Sequence, residues 1–356
     1  MLLLSNDDVE AVLDVKSCIE AMDDAYRELG KQRGASGVRS EILTPTARED
    51  GLYSLLTMSG VAPKSGIGAV RINSDILTWP RTSAGVKRVK IPAAPGGRYV
   101  GLVLLFSVET GEPLAIYPDG VVQRMRVAAT CGLAARYLAR KDARMVALLG
   151  TGWQAGGQAA AIAAVRPIES IRCYSPDPAR REAFASEMAK RLGIDVVAVA
   201  TAREAVEAAD VVMCATSSMQ PVLSAEWIRP GMHISSLKRL ELDASVAAAA
   251  DVVVTHVRKS AAQIIRTAGA DLARETEVEK AALSKAIRQD ELPDLADLVL
   301  ERTPGRRSDH DVTLFLNYMG LGYQFAATGQ IVLRRAQERG LGRKLDTNWF
   351  TSEVPS

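Results

Sequence analysis

The chain has 356 residues, 47% of them apolar and 24% charged, with a formal net charge of +2. That length points to two domains rather than one core, and the composition is that of an ordinary globular protein. The near-neutral charge gives no reason to expect a nucleic acid or a membrane surface as partner.

In chain order, residues 2–4 predict a short strand, and Asp7, Asp8 and Glu10 directly behind it are not the pattern of a signal peptide. No apolar run is long enough to cross a bilayer. Ser5 is placed to cap a helix from about Asp7. Cys18, Met22, Tyr26 and Leu29, near helical spacing, predict a second helix over 15–29. After a loop at 34–37, strands are expected over 40–43, 51–59, 67–72 and 99–108, the last buried on both faces. Thr110-Gly111-Glu112-Pro113 then turns the chain into a hairpin strand at 114–117. The basic stretch 77–98 carries Pro80, Pro92 and Pro95 with Arg81, Lys87, Arg88, Lys90 and Arg98. It reads as a long excursion at the surface or over a cleft.

From Arg126 the pattern changes. An Ala-rich helix over 126–139 leads into alternating strands (146–149, 170–174, 195–198, 211–214, 233–235, 252–255) and helices (156 onward, 178–192, 202–208, 244–250). Such alternation predicts a mostly parallel sheet with helices on both faces. Further helices are expected at 261–267, 279–289, 295–301, 311–328 and 331–338, the last two packing back on the N-terminal half. Trp349 and Phe350 are expected to anchor the tail. Cys18, Cys131, Cys173 and Cys214 show no C-x-x-C spacing and read as reduced, buried residues of a cytoplasmic protein. His233, His256 and His310 are too scattered to form a metal site.

The stretch Met145–Gln158 organises the second half. Its apolar strand ends at Gly150-Thr151-Gly152-Trp153-Gln154-Ala155, a Gly-x-Gly-x-x-Ala turn opening a helix whose free N–H groups suit a pyrophosphate. About twenty residues on, the next strand ends at Tyr174-Ser175-Pro176-Asp177, where the adenosine ribose is normally read. Asp177 would serve the ribose hydroxyls of NAD, whereas Ser175 with Arg180 or Arg181 would serve the 2′-phosphate of NADP. The two stay level. Thr216 and Ser217 follow the strand 211–214 at the carboxyl edge, where the nicotinamide ribose would rest.

The sequence resembles the ornithine cyclodeaminase/mu-crystallin family over nearly its whole length. The likeness is carried by Phe106-Ser107-x-Glu109-Thr110-Gly111-Glu112-Pro113-Leu114-Ala115, by Arg126-Val127-Ala128-Ala129, and by Gly150-x-Gly152. Glu241-Leu242-Asp243 and Thr313-Leu314-Phe315 with Gly320 complete the series. The resemblance implies a homodimer, with a Rossmann-type NAD(P)-binding domain over 126–310. An α+β substrate-binding and dimerisation domain would comprise 1–125 with 311–356. It implies oxidation or reduction of a small amino or imino acid at a carbon bearing nitrogen, with Arg39 and Arg126 gripping the carboxylate; Arg124 competes with Arg126 for that role.

Two departures bear on the reaction. The family's catalytic lysine should fall on the strand at 66–71, where Arg71 is the only cation and Lys64 precedes it; an arginine is a poor proton donor. The loop before Glu241, where cyclodeaminases carry an aspartate, offers Lys238. Asp75, on the same strand as Arg71, is placed either to orient it or to take an ammonium group. The expected function is an amino-acid dehydrogenase or imine reductase using NAD or NADP, with Arg39, Arg71, Arg126 and Lys238 as its candidate catalytic set. The alternatives are a cyclodeaminase that recycles its cofactor and a catalytically silent NAD(P)-binding protein.

Overall fold

The computed structural model describes residues 1–82, 85–258, 262–270 and 290–353, so the helix expected at 279–289 lies outside the described residues. Alternating burial along the N-terminal strands builds a ten-stranded mixed sheet. Its main path runs Ala262–Arg266, Arg39–Pro45, Gly51–Ala62, Ile67–Thr78, Val100–Ser107, Pro113–Pro118, Leu2–Leu3 and Arg343–Lys344. On Ile67–Thr78 every second side chain from Ile67 to Asp75 is buried, so Arg71, Asn73 and Asp75 point to the same covered face. Arg71 lies opposite Met58, and Ser40 opposite Thr57. That register sets Arg39 and Arg71 on the two sides of Met58.

The second sheet has seven strands, all parallel: Asp195–Ala198, Ser170–Tyr174, Met145–Leu149, Val211–Cys214, His233–Ser236, Thr313–Leu316 and Val252–Thr255. Strand order reverses between Met145–Leu149 and Val211–Cys214, so a crevice opens beyond Leu149 and Cys214, where doubly wound sheets bind their ligands. With the mixed sheet and its helices, this makes the two-part α/β architecture expected of the sequence.

The helix Gly120–Leu138 joins the two sheets. Fifteen of its nineteen residues are buried, the mark of a helix surrounded by protein rather than laid on a surface. It packs on Trp153–Val165 through small residues: a side chain at Gly157 would meet Arg124 and Ala128, and one at Gly132 would meet Ala161. The same apolar cluster runs from Leu4, Ile19 and Tyr26 through this helix to Leu148, Ile171 and Phe315.

Several expectations are corrected. The helix read from Arg126 starts at Gly120. Thr313–Leu316 is a buried strand, not helix; Asn317 to Leu321 break the chain, with Met319 at φ 67°, and one helix follows over Gly322–Glu338. Ala262–Arg266 is likewise a strand, parallel to Arg39–Pro45; its Ile264-Ile265 pair suits a pleated sheet better than a helix. The 34–37 loop contains the short strand Ala35–Ser36. Trp349 and Phe350 are 75% and 48% exposed and do not anchor the tail. Pairing of Arg343–Lys344 with Leu2–Leu3 holds it instead. All four cysteines are free and buried, and no helix among the described residues is long and apolar enough to cross a membrane.

The helix Gly322–Glu338 crosses the mixed sheet at backbone contact distance. A Cβ at Gly60 would lie 2.1 Å from the Tyr323 backbone nitrogen, and one at Gly322 would lie 2.0 Å from the Ser59 carbonyl oxygen. Gly60→Ala should therefore destabilise the protein by about 2–3 kcal/mol in urea unfolding, as overpacking against backbone does. Gly68→Ala, whose nearest neighbour would be 3.9 Å away, should be close to neutral. Equal midpoints for the two variants would contradict this packing.

Candidate active site at the carboxyl edge of the parallel sheet

The turn after Met145–Leu149 is shaped for close backbone approach. Gly150 sits at φ 111°, and a Cβ there would lie 2.3 Å from the Ala215 carbonyl oxygen, so no other residue fits. At Gly152 a Cβ would meet nothing within 4 Å, leaving open space above the helix Trp153–Val165. No side chain caps that helix, and its first N–H groups face this space. Gln154 aims a buried Oε1 with no partner. The open space and the uncapped helix start, whose N–H groups can donate, fit a dinucleotide pyrophosphate; the Gln154 oxygen, an acceptor, gives that anion no bond. Thr151 donates its hydroxyl to Ser175 Oγ at 2.8 Å, tying the turn to the next strand end. Asp177 caps Pro178–Leu192 by accepting from the Arg180 N–H, while Arg181 Nη1 donates to the Ser175 carbonyl. The Arg180 side chain is exposed.

The residue that shapes the Thr216 side of this edge is Glu241. It is fully buried and accepts five hydrogen bonds: from the Thr216 N–H and hydroxyl, the Ser236 hydroxyl, and the Leu237 and Lys238 N–H groups. One carboxylate thus fixes the loops that follow two neighbouring strands. The Thr216 hydroxyl also accepts from the Ser218 N–H, so it is engaged inside its loop, whereas Ser217 is exposed at the edge. In the sequence Glu241 is visible only as part of Glu241-Leu242-Asp243; nothing there signals its partners, which come from two other loops.

Above this edge lies a group of cations supplied by the mixed sheet and the joining helix. Arg126 is 4% exposed. Its guanidinium donates to Gln123 Oε1 at 2.6 Å and to Gln324 Oε1 at 2.8 Å, lies over the Phe325 ring at 5.3 Å, and occupies the space a side chain at Gly320 would fill. Among the described residues no carboxylate pairs with it. Burial, with Arg71 and Arg39 nearby, pushes it down to about 9, so it remains a cation at neutral pH. Arg124 turns away, stacking on Trp153 at 4.0 Å and pairing with Glu10 at 2.6 Å. Of the two candidates, Arg126 alone lies against Gly320, which borders a cleft.

Arg71 also lies over Phe325, at 5.2 Å, and pairs with Asp119 at 2.7 Å. Asp119 accepts from Asn73 Nδ2 as well, and the absence of a side chain at Gly101 makes room for this group. Asp119 stands directly before the joining helix yet makes no side-chain cap there. It is a second residue, after Glu241, whose partners the sequence does not signal, since they lie on the strand Ile67–Thr78. The expected partnership of Asp75 with Arg71 is corrected: Asp75 pairs with Lys90 at 2.6 Å. Lys64 is at the surface, paired with Asp24.

Arg39 pairs with Glu41 at 3.2 Å and borders a cleft of about 460 Å³ that is also lined by Val257, Asp294, Met319 and Gly320. Burial holds its guanidinium below the usual range. The basic excursion folds over this region. Arg88 reaches Glu41 at 3.1 Å, Val89–Ile91 pairs with Ile67–Thr78, and Lys87 bridges to Ser218 beside the Thr216 loop. Lys238 is solvent-accessible yet crowded by protein, as in a cleft; that crowding, with Arg88 nearby, holds its ammonium below its ordinary value. His233 and His256 are buried, bonding Thr313 and the Tyr318 carbonyl. The described residues contain no metal-ligating cluster.

Gly150→Ala should abolish dinucleotide binding, read by titrating NADH and NADPH fluorescence, while the protein stays folded by circular dichroism; undiminished binding would remove this turn from the cofactor site. Glu241→Ala leaves five donors without their acceptor and should lower unfolding stability by about 3 kcal/mol or more. A loss under about 0.5 kcal/mol, the range of ordinary surface changes, would show that Glu241 does not hold the loops.

Residues 82–340 match the profile of the ornithine cyclodeaminase/mu-crystallin family. A Delta(1)-pyrroline-2-carboxylate reductase of Bacillus cereus is 26% identical over 357 residues, covering 97% of this chain and all of that protein. The iminosuccinate reductase of Paracoccus denitrificans is 25% identical, with coverage of 97% and 100%. Among solved structures, the Thermococcus litoralis Delta(1)-pyrroline-2-carboxylate reductase in complex with NADH and L-proline superposes with a TM-score of 0.77. It is 29% identical, covering 97% of this chain and 100% of that one. With its glycine turn, seven-stranded parallel sheet and Arg126 helix in place, the chain belongs to the ornithine cyclodeaminase/mu-crystallin family.

Proposed function

We propose that the protein is an NAD(P)-dependent oxidoreductase acting on the carbon–nitrogen bond of a small amino or imino acid, as an amino-acid dehydrogenase or imine reductase. The observation that carries this reading is Arg126. A buried cation without a countercharge is costly, and a ligand carboxylate beside the cofactor edge would supply the missing charge. Arg126 and Arg39 then hold the carboxylate, two planar donors fixing the α-carbon. Gly150, Thr151, Gly152, Trp153, Gln154 and Ala155 form the pyrophosphate turn, with Ser175, Asp177 and Arg180 at the adenosine end and Thr216 and Ser217 at the nicotinamide end. The cofactor's contribution is hydride chemistry: in the reducing direction carbon gains hydrogen with two electrons and the C=N π pair passes to nitrogen.

Arg71 does not need to donate a proton in this scheme. An iminium substrate arrives already protonated, and after reduction its nitrogen takes a proton from water or from Lys238. Bound by Asp119 and Asn73, Arg71 instead contributes a fixed positive charge near the carboxylate. The cyclising alternative finds less support, because Glu241, the carboxylate at the Lys238 loop, is engaged by five donors. The named substrates of the relatives, cyclic and open-chain imino acids, agree with the reading. As the family resemblance implies, the protein is proposed to act as a homodimer.

The test is NADH and NADPH oxidation with a panel of 2-keto acids plus ammonium or methylamine, and with a cyclic imino acid. Oxidation with at least one is expected; none, with cofactor binding intact, would overturn the proposal. Arg126→Gln should raise KM by about tenfold or more, the effect of losing a charge-assisted hydrogen bond. The wild-type KM should be flat between neutral pH and about 8, then rise as pH passes about 9, because the guanidinium that holds the carboxylate loses its proton there. A KM falling through that range would contradict Arg126 as the anchor.

A further inference from the structure

The cations over the cleft outnumber what one carboxylate needs. Arg39, Arg71, Arg88, Arg126 and Lys238 stand against three buried acids, Glu41, Asp119 and Glu241. Lys90 balances Asp75, and along the cleft that Arg39 borders Asp294 and Asp297 are matched in number by Arg258 and Arg302, so that difference is unchanged. Glu41 is shared by Arg39 and Arg88 and also accepts from Ser54. Two positive charges are left over.

Their placement is as telling as their number. Arg126 and Arg39 stand where the α-carboxylate is proposed to bind. Arg88 and Lys238 come from different parts of the fold and are brought together by the basic excursion. Three contacts fix that excursion: Lys90 on Asp75, Val89–Ile91 on the Arg71 strand, and Lys87 on Ser218. Arg88 uses Nη2 on Glu41 and is 43% exposed along its side chain, which leaves guanidinium donors free to face a ligand. A strap pinned at both domains, carrying a cation with spare donors toward an ammonium on the opposite wall, is the arrangement a second acid group requires.

Resting on the function proposed above, we infer that the substrate is a dicarboxylic 2-imino acid, its α-carboxylate held by Arg126 and Arg39 and its distal carboxylate by Arg88 and Lys238. Arg88 is thereby a specificity-determining residue. A substrate with two carboxylates and one iminium carries a net negative charge, which also offsets the repulsion an iminium would meet among these cations.

The experiment compares kcat/KM for 2-oxoglutarate and oxaloacetate with that for 2-oxobutyrate, each with saturating ammonium and NADH or NADPH, in the wild type, Arg88→Gln and Arg88→Lys. The dicarboxylates should be preferred by about tenfold or more, the contribution of a charge-assisted pair. Arg88→Gln should collapse that ratio and Arg88→Lys restore part of it; a ratio is independent of the fraction of protein folded. Equal or better use of 2-oxobutyrate, or a ratio unchanged in Arg88→Gln, overturns the inference while leaving the oxidoreductase reading intact. Calorimetric binding of glutarate against butyrate separates the two ideas if no keto acid turns over. Arg88-dependent preference for glutarate then supports the diacid site while the reaction assignment fails, and equal binding overturns both.

Discussion

The structure depends on the burial of two guanidinium groups, Arg71 and Arg126, over one aromatic ring, Phe325. Desolvating an arginine is expensive unless its donors and its charge are both answered. For Arg71 the answer is internal, through Asp119 and Asn73. For Arg126 the donors are met by Gln123 and Gln324, neutral amides that leave the charge unanswered. The fold makes room for this by removing side chains: Gly101 beside Asp119, and Gly320 beside Arg126. A core that gives up packing to hold a cation with no paired carboxylate among the described residues has a need that, in the proposed function, a ligand anion meets. That need links the mixed sheet, the joining helix and the C-terminal helix into one site.

The cofactor edge is stiffened by the opposite device, a buried anion. Glu241 gathers donors from the Thr216 and Lys238 loops, so neither loop moves without breaking bonds in the other. Thr151 and Ser175 tie the glycine turn to the next strand end with a single hydroxyl pair. The two halves of the chain meet through the helix Gly120–Leu138, whose residues are buried whether they face the mixed sheet or the parallel one. Arg124 and Arg126, two positions apart, therefore serve different neighbourhoods: one stacks on Trp153 beside the glycine turn, the other reaches Gln324 and lies against Gly320.

What the sequence revealed divides along the range of the interactions involved. Local patterns were legible: the Gly150 turn, the alternation of strands and helices from Met145 to Thr255, the capping of the first helix by Ser5. Arg39 and Arg126 came from the family likeness and Arg71 from a departure from it, and the fold brings these three near one another. Features set by distant pairing were not legible. Thr313–Leu316 is a strand because His233–Ser236 and Val252–Thr255 flank it, and Ala262–Arg266 because Arg39–Pro45 offers an edge. Asp119 and Glu241 escaped for the same reason. Each resembles a local cap or turn residue until the chain closes around it. The basic excursion was identified by composition, but only the Lys87 to Ser218 bridge shows which wall it reaches.

The account turns on where the ligand carboxylate sits, and that position can be seen. A crystal structure of the protein with NADH or NADPH and an unreactive carboxylate analogue of the substrate would show it directly. The account predicts carboxylate oxygens within hydrogen-bonding distance of Arg126 and Arg39, beside the open edge at Thr216 and Ser217. A carboxylate bound elsewhere, with Arg126 still held by Gln123 and Gln324 alone, would contradict it.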